Sequence, residues 1–109
     1  MKTIKISRRR WGRGEKGGSL HDPRTHLQCC LGFVCRAYGV PLNAIKGLGY
    51  PEAVANRLRN RLPRWLREGA VDVDRAVEIN DNGSLSSAER ERQLRPIFRR
   101  HRLRVVFTK

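Results

Sequence analysis

The chain carries one pattern at both of its ends. Thr3-Ile4-Lys5-Ile6-Ser7 and Leu103-Arg104-Val105-Val106-Phe107-Thr108 each set apolar residues at alternate positions. A period of two belongs to a half-buried strand, so Ile4 and Ile6, and Leu103, Val105 and Phe107, are expected to face inward. A lone strand leaves backbone groups unpaired and an apolar face uncovered, which predicts that the two terminal segments pair with each other. Two strands make a marginal sheet. A third strand, from residues 71–79 or from a second copy of the chain, would relieve this, so an edge-to-edge homodimer is a further expectation.

Between the ends, the periodicity is helical. From Thr25 to Tyr38, residues Leu27, Cys30, Leu31, Val34, Cys35 and Tyr38 recur at three-and-four spacing, predicting a helix capped near Thr25 and stopped by Gly39. Pro51 is placed to open a second helix, whose apolar stripe of Val54, Leu58, Leu62, Trp65 and Leu66 is kinked or split by Pro63. Residues 71–79 read best as an acidic helix with Ala76, Val77 and Ile79 inward, followed by an Asn80-Asp81-Asn82-Gly83 turn. Ser86 and Glu89 have capping-box spacing and open a last helix, with Leu94, Ile97 and Phe98 inward and Pro96 as a kink. The expected class is therefore α+β, with three to four short helices on a small sheet joining the N- and C-terminal strands. With 109 residues and no internal repeat, one domain over 1–109 is expected.

Charge bounds the function. Lysine and arginine total 24 against 10 acidic residues, a net +14, and arginine dominates. A field of this sign attracts polyanions, and arginine over lysine favours bidentate contacts to phosphate or carboxylate. Four glycines around Trp11-Gly12-Arg13-Gly14-Glu15-Lys16-Gly17-Gly18 predict a turned or flexible loop within a basic segment at about 8–20. Successive backbone N–H groups there, flanked by Arg8, Arg9, Arg10, Arg13 and Lys16, have the makings of an anion site, although the order is not that of a Walker loop. Arg57, Arg61 and Arg64 fall on one predicted helix face. Together with Arg99 and Arg100 they complete the expected anion-binding set, and Trp11 and Tyr50 are the candidates for stacking on a base. No apolar run is long enough for a membrane span or a signal peptide, so a cytoplasmic protein is expected.

Cys29, Cys30 and Cys35 are odd in number and crowded within seven residues, which argues for reduced thiols rather than a disulfide framework. Zinc is disfavoured, because His21, His26 and these cysteines lack paired-ligand spacing; no metal or cofactor is expected. The run Cys29-Cys30-Leu31-Gly32-Phe33-Val34-Cys35, with Ile79-Asn80-Asp81-Asn82-Gly83-Ser84 before the last helix, resembles small uncharacterised phage and prophage proteins with a CCLG core. That resemblance implies an origin in a bacterial host's cytoplasm, and no mechanism. Cys30 to Val34, with Tyr38, Gly39, Pro41 and Leu42, is also locally similar to the nucleophile helix of NlpC/P60-type cysteine hydrolases. The leading expectation is a non-enzymatic, phage-encoded inhibitor or anti-defence protein, binding an anionic host protein complex, nucleic acid or signalling nucleotide. Direct DNA or RNA binding is the alternative, and a hydrolase using Cys30 the second alternative.

Overall fold

The computed structural model describes all 109 residues. Strand β1 (Lys2–Ser7) pairs with strand β2 (Leu103–Thr108) in a two-stranded sheet, as the alternation at both ends requires. The pairing is parallel, with Ile4 opposite Val105 and Ile6 opposite Phe107. The ladder is extended at both ends, by Lys2 N donating to Arg102 O and Arg8 N donating to Thr108 O. Ile4, Ile6, Leu103, Val105 and Phe107 are all buried on the inward face.

The rest of the chain is the crossover, and its helices cover that face. Helix α1 spans Cys30–Ala37, α5 spans Val71–Asp81 and α6 spans Ser87–Arg100. Three single-turn helices lie between the first two: α2 (Leu42–Ile45), α3 (Asn56–Arg59) and α4 (Arg64–Arg67). Helix α6 packs on β2 and α5, while α1 packs on β1 and α5. One cluster of 21 buried side chains results, centred on Ile6, Leu31, Val34, Ala76, Leu94 and Phe98. No helix is long and apolar enough to cross a membrane.

Local signals explain some boundaries and tertiary contacts the others. The Ser86 hydroxyl accepts from Glu89 N while the Glu89 carboxylate accepts from Ser86 N, the reciprocal cap that its spacing predicts. Helix α6 continues past Pro96 to Arg100. Helix α1, in contrast, starts at Cys30 and not near Thr25. Gln28 is instead bridged to Trp11, with Gly12 N donating to Gln28 O (2.7 Å) and Gln28 N donating to Arg10 O (2.8 Å). Backbone committed to a bridge cannot also serve a helix, and Leu27 is left outside it.

The segment from 51 to 68 departs further from its expectation. A 3-10 turn at Pro51–Ala53 gives way to extended backbone at Val54 and Ala55, while Pro63 caps α4 and splits the segment, one of the two outcomes expected of it. Arg57, Arg61 and Arg64 consequently do not share one helix face. In α5, the inward positions are Val73, Ala76 and Asn80, with Val77 and Ile79 half-buried. The segment adds no third strand, and Asn80 and Asp81 close the helix instead of opening a turn.

Asn80 is the joint of the molecule. Its Oδ1 accepts from Trp11 Nε1 (2.7 Å) and from Cys30 N (3.0 Å), and its Nδ2 donates to Gly12 O (2.9 Å). Next to it, Asp81 Oδ1 accepts from Gly18 N at 3.1 Å. The glycine-rich loop is therefore a packed element. At Gly17 a Cβ would lie 2.0 Å from Asp81 Oδ1, so only glycine lets the loop lie flat on the end of α5.

Candidate anion-binding face

The cysteine helix offers no accessible nucleophile. Cys29, Cys30 and Cys35 are free and buried. Burial pushes the Cys29 thiol up to about 11 and Cys35 to about 12, and it raises Cys30 well above the usual thiol range. The Cys30 Sγ rests 3.9 Å from Ala76 O, on the core side of α1. A reactive cysteine needs a stabilised thiolate and an open approach, and Cys30 has neither. No three His, Cys, Asp or Glu side chains are grouped to hold a metal ion.

Several of the expected anion ligands are engaged within the protein. Arg8 makes a bidentate pair with Glu91, both contacts at 2.8 Å, and this hydrogen bond holds the buried carboxyl below its usual range. Arg13 donates to Ser87 Oγ (2.7 Å) and Trp11 O (2.9 Å) and lies over the Trp11 ring. Arg61 donates to Gly39 O, Arg64 pairs with Glu68, and Arg100 pairs with Asp72. Trp11 is only 2% exposed, so it has no face for a base, whereas Tyr50 stays open at 42%. Arg9, Arg10, Lys16, Arg57 and Arg99 are exposed and have no carboxylate partner.

The free cations are not spread evenly. Arg9, Arg10, His21, His26, Gln28 and Arg36, with Thr25, Leu27 and Leu42, line a cleft of about 530 Å³. A second cleft, of about 320 Å³, is lined by Arg8, Arg9, Trp11, Arg13, Lys16 and Leu27. The two share Arg9 and Leu27, and neither lining contains a carboxylate. The basic surface continues beyond them, because Arg8 and Arg95 both approach the Phe107 ring, at 6.0 and 5.2 Å from its centre. Arg95 in turn lines a hollow with Arg99 and Arg104 on β2.

Sequence reasoning did not single out His21, Gln28 or Arg36 as anion ligands. They come from the 20–28 loop and α1: Asp22 N donating to Leu27 O and His26 N donating to Asp22 O close the loop between His21 and Gln28, and bridges tie His21 to Lys46 and Gln28 to Trp11. His21 is 3% exposed and Gln28 8% exposed, and neither ring nitrogen of His21 nor Oε1 of Gln28 has a hydrogen-bond partner. Burial pushes the His21 imidazole below its usual range, helped by His26, Lys46 and Arg36 and opposed by Asp22.

No family model, curated protein or solved structure matches this chain.

These shifts fix the pH response. His21 has a lowered folded pKa, so the unfolded chain binds more protons, and stability falls as pH drops through the ordinary histidine range near about 6.5. Glu91, held by Arg8, and Asp72, held by His101 and Arg100, have lowered folded pKa values as well. Their contribution is complete above about pH 4–5 and is lost on further acidification. Urea midpoints measured against pH are expected to fall in these two stages. In His21→Gln the upper stage disappears and the lower one stays.

Proposed function

We propose that this chain is a stoichiometric, non-catalytic binder of a polyanion, and that it engages the phosphates of a nucleic acid along the basic face. The observation that carries the reading is the pair of adjoining clefts with arginines and a lysine in their walls and no carboxylate. Arg8 and Arg13 are held rigidly by Glu91 and Ser87, while Arg9, Arg10, Lys16 and Arg36 are exposed and carry no counter-charge of their own. Unpaired guanidinium groups on a fixed frame suit charge-assisted, bidentate contacts to successive phosphates. The resemblance to small phage proteins adds a role for such binding: occluding a nucleic acid from a host enzyme or defence complex in the bacterial cytoplasm.

The test is fluorescence anisotropy with labelled single-stranded and duplex oligonucleotides as salt is raised. Four phosphates met by Arg9, Arg10, Lys16 and Arg36 give a slope of about −3.6 in log K against log salt on a duplex, roughly a hundredfold loss between 50 and 200 mM. Arg9→Glu, Arg10→Glu and Arg36→Glu together are expected to abolish binding at unchanged circular dichroism, since all three side chains are exposed. Absence of binding to any polynucleotide at low salt overturns the reading.

A further inference from the structure

We infer that the cleft walled by Arg9, Arg10, His21, Gln28 and Arg36 is a site for one small phosphate monoester of the nucleotide or sugar-phosphate kind. The inference rests on the reading that this face takes anions, and it adds a discrete ligand to it. Its starting point is an unmet demand. Buried polar groups in folded proteins nearly always have a hydrogen-bond partner, yet both nitrogens of the His21 ring and Oε1 of Gln28 have none, in two residues that line one cleft. The three atoms are sealed from solvent, so they meet a partner only when the ring and amide turn toward the cleft, and Arg9, Arg10 and Arg36 line that same space without a carboxylate.

The kinds of atom present narrow the ligand. Three guanidinium groups match the doubly charged phosphoryl end of a monoester, and can grip its oxygens in pairs. A neutral imidazole, which burial first and then His26, Lys46 and Arg36 favour over the charged form, adds one N–H donor to the same group. The orphan on Gln28 is an acceptor sealed from solvent, so once the amide turns toward the cleft it takes a hydroxyl or N–H from the ligand's organic part. A bare anion lacks that part, whereas a nucleotide or a sugar phosphate carries both. The cleft, at about 530 Å³, is in the range of sites that hold ligands of this size.

The walls are also fixed in advance. His21 O accepts from Gly47 N (2.8 Å), Leu20 N donates to Leu48 O (2.7 Å), and Gln28 N donates to Arg10 O (2.8 Å). Asp22 N donates to Leu27 O and His26 N to Asp22 O, which closes the loop between the two orphaned side chains. A cleft tied at both rims loses little freedom when a ligand enters, which favours affinity.

Isothermal titration with adenosine monophosphate, guanosine monophosphate, glucose 6-phosphate and inorganic phosphate tests the assignment, alongside nitrogen-15 NMR of the labelled His21 ring. One molecule of a monoester is expected to bind, to move the His21 ring signals, and to compete with oligonucleotide for the face. Arg36→Ala, an exposed change that spares the fold, and His21→Gln are each expected to weaken binding roughly tenfold or more, as loss of a hydrogen bond to a charged group requires. Which monoester binds best identifies the source of the phosphoryl group. Inorganic phosphate binding as tightly as every monoester, or affinities unchanged in both variants, overturns the assignment. Oligonucleotide binding with no response to any monoester defeats this inference and leaves the polyanion reading standing. Monoester binding with no oligonucleotide binding does the reverse.

Discussion

Asn80→Ala is expected to lower the unfolding free energy by about 3–5 kcal/mol, a large share of what a domain this size possesses. The side chain is fully buried, and it is the shared partner of Trp11 Nε1, Cys30 N and Gly12 O. Alanine leaves two donors and one acceptor without the partner they share. Each such orphan costs about 1–3 kcal/mol, and the vacated volume adds to the sum. One of the donors is the first amide of α1, so the helix also loses its start. Urea unfolding followed by tryptophan fluorescence is the measurement. A midpoint within error of wild type would mean that Asn80 is not the joint described above.

Gly32→Ala is expected to destabilise by about 3 kcal/mol or to prevent folding, the opposite sign from the usual result in a helix. Ordinarily alanine gains about 1 kcal/mol over glycine at such a position. Here the added Cβ would lie 1.9 Å from Leu20 O and 2.8 Å from Leu20 C, and that backbone has no direction in which to give way. Ser19 O accepts from Cys29 N, Leu20 N donates to Leu48 O, and His21 O accepts from Gly47 N, so residues 19–21 are held on both sides. Overpacking against a fixed main chain costs on the order of 3 kcal/mol. Thermal denaturation of the variant decides the sign. Since His21 follows Leu20 directly, any folded fraction is expected to bind phosphate monoesters more weakly too.

These two residues bear on what the sequence could disclose. The CCLG run and the Asn-Asp pair stand out as separate motifs, but nothing local says that Cys30 N and Trp11 Nε1 meet on Asn80. Strands β1 and β2 were legible because alternation is a property of neighbouring residues, and α6 because a capping box is contained in four positions. The start of α1 was not legible, since the bridge from Gln28 to Trp11 overrides the periodicity of Leu27. Residues 51–68 follow helical spacing yet break into turns, where Val54 and Ala55 are extended and Pro63 stands before α4. Charge behaved similarly. Net charge predicted an anionic partner, but it could not tell that Arg8 is spent on Glu91 and Arg13 on Ser87 while Arg9, Arg10 and Lys16 stay free. Trp11, a natural choice for base stacking, was required by the core instead. His21, Gln28 and Arg36 carry no motif, and the closed 22–27 loop beside α1 makes them neighbours.

The parallel pairing of β1 with β2 has a consequence for how the protein is made. Its partners are about a hundred residues apart, so the first strand leaves the ribosome long before the last exists. At about 5–20 residues per second, Ile4 and Ile6 wait roughly 5–20 s for their partner strand. A nascent apolar strand in that condition is a template for pairing with other chains. Lys2, Lys5 and the run Arg8-Arg9-Arg10 place positive charges within and just after it, where they act as gatekeepers against aggregation during synthesis. The arginines Arg9 and Arg10 thus have work to do before there is any folded face for a ligand to meet.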